Sequence, residues 1–379
     1  MACKRFAYEL VSPFMFLAGI AVAYVSPVRL QVLVAVARVF TWFFFTFAPV
    51  FIFVILAGSL SAGLGGSRLA KYVIPMFFSV CLTLSTLTSM LLSAWSPLEE
   101  AEVQVEGLSH HLLELLALNL VKPIPVSIAA GLAVSVVISP RAEVVRKAVI
   151  SLHGVLMSFF KLILKVLPLV SLSFGASFYY GLGRSSLSAY VEALAMMAAF
   201  SVAYVLISLA LVTVLLGVDL KAAASYTLKM FFIGLSLPSS YILLAPHLKV
   251  FSSHFDVDRS ISDTVLAMGS ALNRAGSAMG VVISVSVVSK YLSVPISLGE
   301  YFSLALIAAV IGFASPGIPG GTILVAMPMI LNLLGAVNPE AFSLASIAVF
   351  NGITILTAPT NTVLTGYIAL VVDRAVRAS

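Results

Sequence analysis

Charge-free apolar windows divide the chain. They run over 10–28, 39–67, 72–98, 123–140, 166–183 and 193–218, then an interrupted 230–246, a long span around Arg274, and two longer windows at 301–339 and 341–372. A helix crossing a bilayer needs about 20 apolar residues, so each of the first six windows predicts one crossing. The window 301–339 is too long for one crossing yet contains no polar loop. It predicts two half-helices that meet at the break SPGIPGG and return to the side they came from. The stretch LSLPSSYILLAP at 235–246 is broken in the same way by Pro and Ser. Each broken segment precedes a span with polar residues in its middle: the Arg274 helix follows the first, and the helix around Pro359 follows the second.

Composition agrees with the windows. Of 379 residues 61% are hydrophobic and 9% charged, with mean hydropathy +1.13, whereas soluble domains carry about 25% charged residues. The chain reads as an integral membrane protein whose N-terminal segment is a retained first helix. The formal charge of +6 is spread along the chain and marks topology rather than nucleic-acid binding. With the N-terminus cytoplasmic, thirteen basic residues fall on inside connections: Lys4, Arg5, Arg68, Lys71, Arg141, Arg146, Lys147, Lys221, Lys229, Lys249, Arg259, Arg374 and Arg377. Only Arg29, Lys122, Arg184 and Lys290 fall outside, as the positive-inside rule requires. The count works when the segments at 230–246 and 301–339 enter and leave on one side.

The connection from Ser96 to Pro123 holds Glu99, Glu100, Glu102, Glu106 and Glu114 with His110 and His111. It reads as an acidic external loop, since adjacent histidines on a helix do not share a face. Lys161 and Lys165 sit four apart on an apolar helix, where they snorkel to the interface or line a subunit contact. Cys3 and Cys81 are too few and too far apart for a disulfide framework or a metal site, and Cys3 is either an acylated or an ordinary thiol.

Arg274 is the only charge between Asp263 and Lys290. A charge near the bilayer centre costs roughly 2.5 to 3.5 kcal/mol on insertion scales and marks a functional site by default. The competing reading is a structural plug hydrogen-bonded to hairpin carbonyls. On the last window Asn351, Thr354, Thr357 or Ala358, Asn361 and Thr365 recur at steps of three and four. They form one polar stripe that either contacts a solute or joins helices. Pro359 lacks an N–H donor and predicts a kink that frees carbonyls near residue 355. Paired broken segments are the sequence pointer to a transporter's midplane site. An intramembrane hydrolase would need a base or paired acids beside its serines, and neither is seen within the windows; a channel would show a repeated filter sequence.

MGSALNRAGSA (268–278), SPGIPGGTILVAMPM, LSLPSSYILL and VLTGYIALVV together resemble the dicarboxylate/amino acid:cation symporter family, which includes the glutamate and aspartate transporters. The match rests on Gly269, Asn273, Gly276 and Ser277, on Gly317, Pro319 and Gly320, on Ser236, Ser239 and Ser240, and on Leu364, Thr365 and Gly366. The resemblance implies an all-α polytopic membrane protein of glutamate-transporter-like fold, with eight transmembrane helices and two re-entrant helical hairpins. It implies scaffold helices 1 and 2 in 1–71, transport-domain helix 3 in 72–98, an external loop and scaffold helices 4 and 5 in 99–183, and the remaining transport domain in 184–379. Within that last part it places hairpin 1 at about 221–255, helix 7 at about 261–291, hairpin 2 at about 299–337 and helix 8 at about 340–374. It further implies a homotrimer in the plasma membrane, contacting lipid and a small-molecule solute, with no nucleic acid, metal or cofactor. Substrate-binding residues carried over are Ser239, Ser240, Arg274, Ser277, Gly317, Ile318, Pro319, Gly320, Thr357 and Asn361; candidate ion ligands are Gly269 and Asn273.

The chain departs from the family where charge matters. Arg274 and Ala275 stand where the family has Met and Asp, its second sodium-ligand Asp falls near Val363, and its substrate-binding Asp and Arg fall near Gly352 and Leu356. None of the fifteen acidic residues lies in the middle of either helix. Hard cations need oxygen ligands, preferably anionic, so the expectation is an elevator-type carrier of a small anionic solute, amino acid or carboxylate, with sodium coupling weakened or lost. A conventional sodium- or proton-coupled amino-acid symporter and a non-cycling channel or scaffold derivative are the alternatives.

Overall fold

The computed structural model describes residues 2–25, 27–63, 70–95, 130–131, 133–134, 141–182, 186–236, 240–314, 321–335 and 339–378. Regular structure among them is helical: α1 (Ala2–Val25), α2 (Pro27–Gly63), α3 (Ala70–Trp95), α4 (Glu143–Leu182), α5 (Ser186–Leu216), α6 (Leu220–Ser236) and α7 (Ser240–His254). Then follow α8 (Arg259–Leu272), α9 (Ala275–Tyr291), α10 (Leu298–Ala314), α11 (Gly321–Leu334), α12 (Pro339–Ile353), a 3-10 turn (Thr354–Leu356) and α13 (Thr357–Ala378). Among the described residues, Tyr72–Trp95, Ser186–Leu216, Ile261–Tyr291 and Ala341–Arg377 are long and apolar enough to cross a membrane.

The windows locate helices better than they bound them. Helix α2 starts at Pro27, where a first-turn proline loses no helical bond, and runs through Arg29 and Arg38. Helix α4 is a single 40-residue helix from Glu143 to Leu182, so the window at 166–183 is only its last part. Charges do not stop a helix; they stop only an apolar count. The side chains of Lys161 and Lys165, the acidic connection with His110 and His111, and most of the window 123–140 lie outside the described residues.

Two groups of helices emerge from the packing. Helix α4 packs along both α1 and α2, while α3 packs on α9 and α10, and α13 packs on α5, α6, α8 and α9. The largest contact between the groups is α12 on α4. Helix α9 is buried from Ala275 through Ser289, as expected of a helix apolar on every side. Its Ala, Gly, Ser and Val side chains let neighbouring backbones approach closely. By contrast α5 exposes Leu206, Ile207, Leu211 and Val214, an apolar face of the kind lipid covers.

Helices α6 and α7 form a hairpin. Ser225 near the start of α6 hydrogen-bonds His254 at the end of α7, 3.1 Å apart, so the chain doubles back between Ser236 and Ser240. Helices α10 and α11, on either side of the second break, also pack on one another.

Candidate functional site

The Arg274 span is broken at the arginine itself, which its apolar pattern does not foretell. Helix α8 ends at Leu272 and α9 begins at Ala275, with Arg274 at φ −119° and ψ 28°. A break in a buried helix leaves backbone groups that lipid cannot satisfy, at several kcal/mol each. The protein closes this account with side chains from α13. Asn361 Oδ1 accepts the Gly276 N–H at 2.7 Å, a cap supplied by another helix. Asn273 Nδ2 donates to the Asn361 carbonyl at 2.9 Å and to Thr365 Oγ1 at 2.8 Å. Thr365 Oγ1 in turn donates to the Asn361 carbonyl at 2.8 Å.

The orientation of the Asn273 amide follows from its neighbours. Its Oδ1 faces the Ala275 N–H at 3.4 Å, which leaves Nδ2 to point at the two oxygens on α13. Glycines permit the approach. A Cβ on Gly276 would stand 2.9 Å from the Thr357 carbonyl oxygen and 3.2 Å from Asn361 Oδ1, and one on Gly269 would overlap Thr365.

Arg274 is 4% exposed. Its Nη1 donates to Ser240 Oγ and its Nη2 to the Ser270 carbonyl, each at 2.9 Å. Ser240 is the first residue of α7, so the guanidinium joins the tip of the α6–α7 hairpin to the broken helix. Gly312 on α10 closes the other side, its missing Cβ lying 3.5 Å from the Arg274 carbonyl oxygen.

The residues expected at the site therefore divide into three sets. Ser240, Gly269, Asn273, Arg274, Ser277 and Asn361 come together, with Asn361 Nδ2 3.5 Å from Ser277 Oγ. Thr357 packs against Gly276 and Gly280 of α9, but its hydroxyl donates to the Thr354 carbonyl of its own helix at 2.8 Å. Ser239, Gly317, Ile318, Pro319 and Gly320 lie outside the described residues.

The polar stripe splits likewise. Asn351 and Thr354 bond carbonyls of their own helix at 2.9 and 2.7 Å, whereas Asn361 and Thr365 reach across to the break. The helix tightens into a 3-10 turn over Thr354–Leu356, just before Pro359 in the first turn of α13, where the missing N–H costs little. Thr365, two residues beyond Val363, is the α13 side chain that meets Asn273 and Gly269.

Sequence reasoning also missed His247. It is 3% exposed on α7, and its Nε2 lies 2.7 Å from Tyr226 Oη. It is buried just beyond the 230–246 window, with a tyrosine rather than a serine as its partner. Its signal in sequence was its place one residue beyond a broken apolar segment.

A search among curated proteins finds no match to this chain. The model of the sodium:dicarboxylate symporter family matches residues 108–375, from the connection before α4 almost to the end of α13. With a matched region that contains the broken helix, both interrupted segments and the α13 stripe, this multi-pass membrane protein belongs to the sodium:dicarboxylate symporter family, a family of transporters.

Proposed function

We propose that the protein is an elevator-type carrier of a small carboxylate that lacks an ammonium group, with sodium coupling weakened or lost. The observation that carries the reading is a buried guanidinium in a core whose expected carboxylate positions are apolar. Arg274 puts a permanent guanidinium, suited to a carboxylate, beside Ser240 at the hairpin tip. The Asn273 amide donates to the Asn361 and Thr365 oxygens, the very acceptors that a cation between α8 and α13 would need. No Asp or Glu occurs in 220–255, 264–299, 301–339 or 341–372. An ammonium group bound there would find no counter-charge, while a carboxylate would find one.

The packing of α4 along α1 and α2, and of α3 and α13 on the helices from α8 onward, supports dividing the chain into a scaffold and a mobile body that meet mainly where α12 lies on α4. On this reading the α6–α7 and α10–α11 pairs are re-entrant hairpins over the solute, and the carrier is a homotrimer in the plasma membrane with its N-terminus cytoplasmic.

A thermal-shift series on purified protein tests the reading, with acetate, succinate and aspartate each added in sodium and in choline buffer. Succinate or acetate is expected to stabilise equally in both buffers and more than aspartate does. At 100 times its Kd a ligand adds about 2.7 kcal/mol, and Arg274→Met is expected to lose that gain. Stabilisation confined to sodium buffer, or retained by Arg274→Met, refutes the proposal.

A further inference from the structure

His247 plays no part in the site just described, yet it is one of the most deliberately housed residues in the protein. It sits in the α6–α7 hairpin with its ring stacked at 6.0 Å on that of Tyr226, which is itself wholly buried. Phe251, Phe255 and Tyr367 enclose the Tyr226 ring at 5.9, 5.1 and 5.9 Å. On α13 Gly366 makes room for the phenol, because a Cβ there would overlap Tyr226 Oη. Tyr226 Oη lies 2.7 Å from His247 Nε2 and 3.4 Å from the Thr362 carbonyl oxygen.

The phenol has one hydrogen for two acceptors. When Nε2 is bare, the phenol donates to it. When Nε2 carries a proton, the imidazole becomes the donor, and the phenol must turn its hydrogen to Thr362, the neighbour of Asn361. The neutral ring can take either role according to its tautomer, whereas the protonated ring can only donate, which commits the phenol to Thr362 on the helix that caps the broken span.

Among the described residues a charged imidazole in this place has no ion-pair partner to compensate its burial. On the hairpin itself the other basic groups are Lys221, Lys229, Lys249 and His254; the three lysines are exposed and Lys229 Nζ lies 3.1 Å from His254 Nε2. On α8 Arg259 pairs with Asp263, and on α13 Asp373 pairs with Arg377 while Arg374 is exposed and Tyr367 hydrogen-bonds Thr227. Asp256 and Asp258, on the α7–α8 connection, are exposed. Among the described residues none of these acids forms a salt bridge with His247.

We propose that His247 is a proton-binding site. It is neutral while the α6–α7 hairpin lies packed on α13 and protonated when the hairpin lifts and water reaches the ring, so acid favours the lifted arrangement. The proposal stands apart from the carboxylate reading: it needs only the hairpin, the phenol and the proton.

Hydrogen–deuterium exchange on the full chain in lipid nanodiscs at pH 5.0 and 7.5, corrected for intrinsic rates, tests it. An imidazole with the ordinary value of about 6.5 raises the lifted population about 30-fold at pH 5.0, and exchange through local opening follows that population. The expected result is an acid-induced rise of that order in peptides covering 240–254, with no such rise in peptides from α5. His247→Gln is expected to flatten the rise. Tyr226→Phe, which removes the hydrogen-bond partner of the neutral ring, is expected to raise exchange at pH 7.5 several-fold and serves as the deciding variant if His247→Gln does not fold. Equal exchange at both pH values in the wild type, an acid rise that survives His247→Gln, or unchanged exchange at pH 7.5 in Tyr226→Phe overturns the proposal.

Discussion

Replacing Gly276 by Ala tests how tightly α13 is fastened to the broken helix. The new Cβ would stand 2.9 Å from the Thr357 carbonyl oxygen, 3.1 Å from Thr360 Cβ and 3.2 Å from Asn361 Oδ1. Comfortable separations are about 3.5 Å or more, and the nearest atom is backbone, which cannot swing aside as a side chain can. Helices α9 and α13 must therefore separate by roughly half an ångström. That movement lengthens the 2.7 Å bond from the Gly276 N–H to Asn361 Oδ1 and loosens the cap. Overpacking of this kind costs about 1–3 kcal/mol, and the weakened buried hydrogen bond adds about 1 kcal/mol, for a total of about 2–4 kcal/mol.

Gly154→Ala is the matched control. It lies within helix α4 with nothing inside 4 Å of a built Cβ, so it gains about 1 kcal/mol of helix propensity. The assay is thermal unfolding of the detergent-solubilised protein, read by a thiol-reactive dye on the buried Cys81 in a Cys3→Ser background. At roughly 2–4 °C per kcal/mol, Gly276→Ala should melt about 5–15 °C below the parent and Gly154→Ala at or slightly above it. A Gly276→Ala midpoint within a degree of the parent would refute the argument that this interface is rigid.

Two further substitutions probe the charge arrangement. Thr365→Asp places a carboxylate opposite Asn273 and Gly269, supplying the anionic oxygen a hard cation prefers; it should confer a sodium-dependent thermal shift that the parent lacks, and absence of any shift counts against the missing carboxylates as the cause of weakened sodium coupling. Lys290→Met removes the 2.7 Å bridge to Glu192, whose members are 48% and 20% exposed; an ion pair this wet is worth at most about 1 kcal/mol, so the midpoint should fall by no more than a few degrees.

Much of this molecule is legible in its sequence. The apolar windows, both Pro/Ser/Gly breaks and the lone Arg274 all point to a membrane transporter site, and the structure draws Ser240, Asn273, Arg274, Ser277 and Asn361 together around one helix break. Other features were hidden for identifiable reasons. Helices α2 and α4 run through charged residues that a charge-free count treats as boundaries. The break at Asn273–Arg274 lacks Pro, and it stands because Asn361 satisfies the backbone from 85 residues away. Thr357 lies on the predicted stripe and packs its methyl toward Gly280 of α9, but its hydroxyl donates back to the Thr354 carbonyl, a local bond that Thr makes readily within helices.

The sequence by itself determined that this chain lives in lipid, that its interrupted segments come in a pair, and that its transport core lacks acids, because solvation and net charge are properties of composition and order. The tertiary structure alone decided which polar atoms answer one another. Whether Asn273 offers its oxygen or its nitrogen, whether Thr365 or Val363 faces it, and whether His247 meets water or Tyr226 all depend on contacts between helices distant in the chain. Hydrogen bonds are short and directional, and a pattern of residue types carries no information about a 2.7 Å approach until the helices are packed.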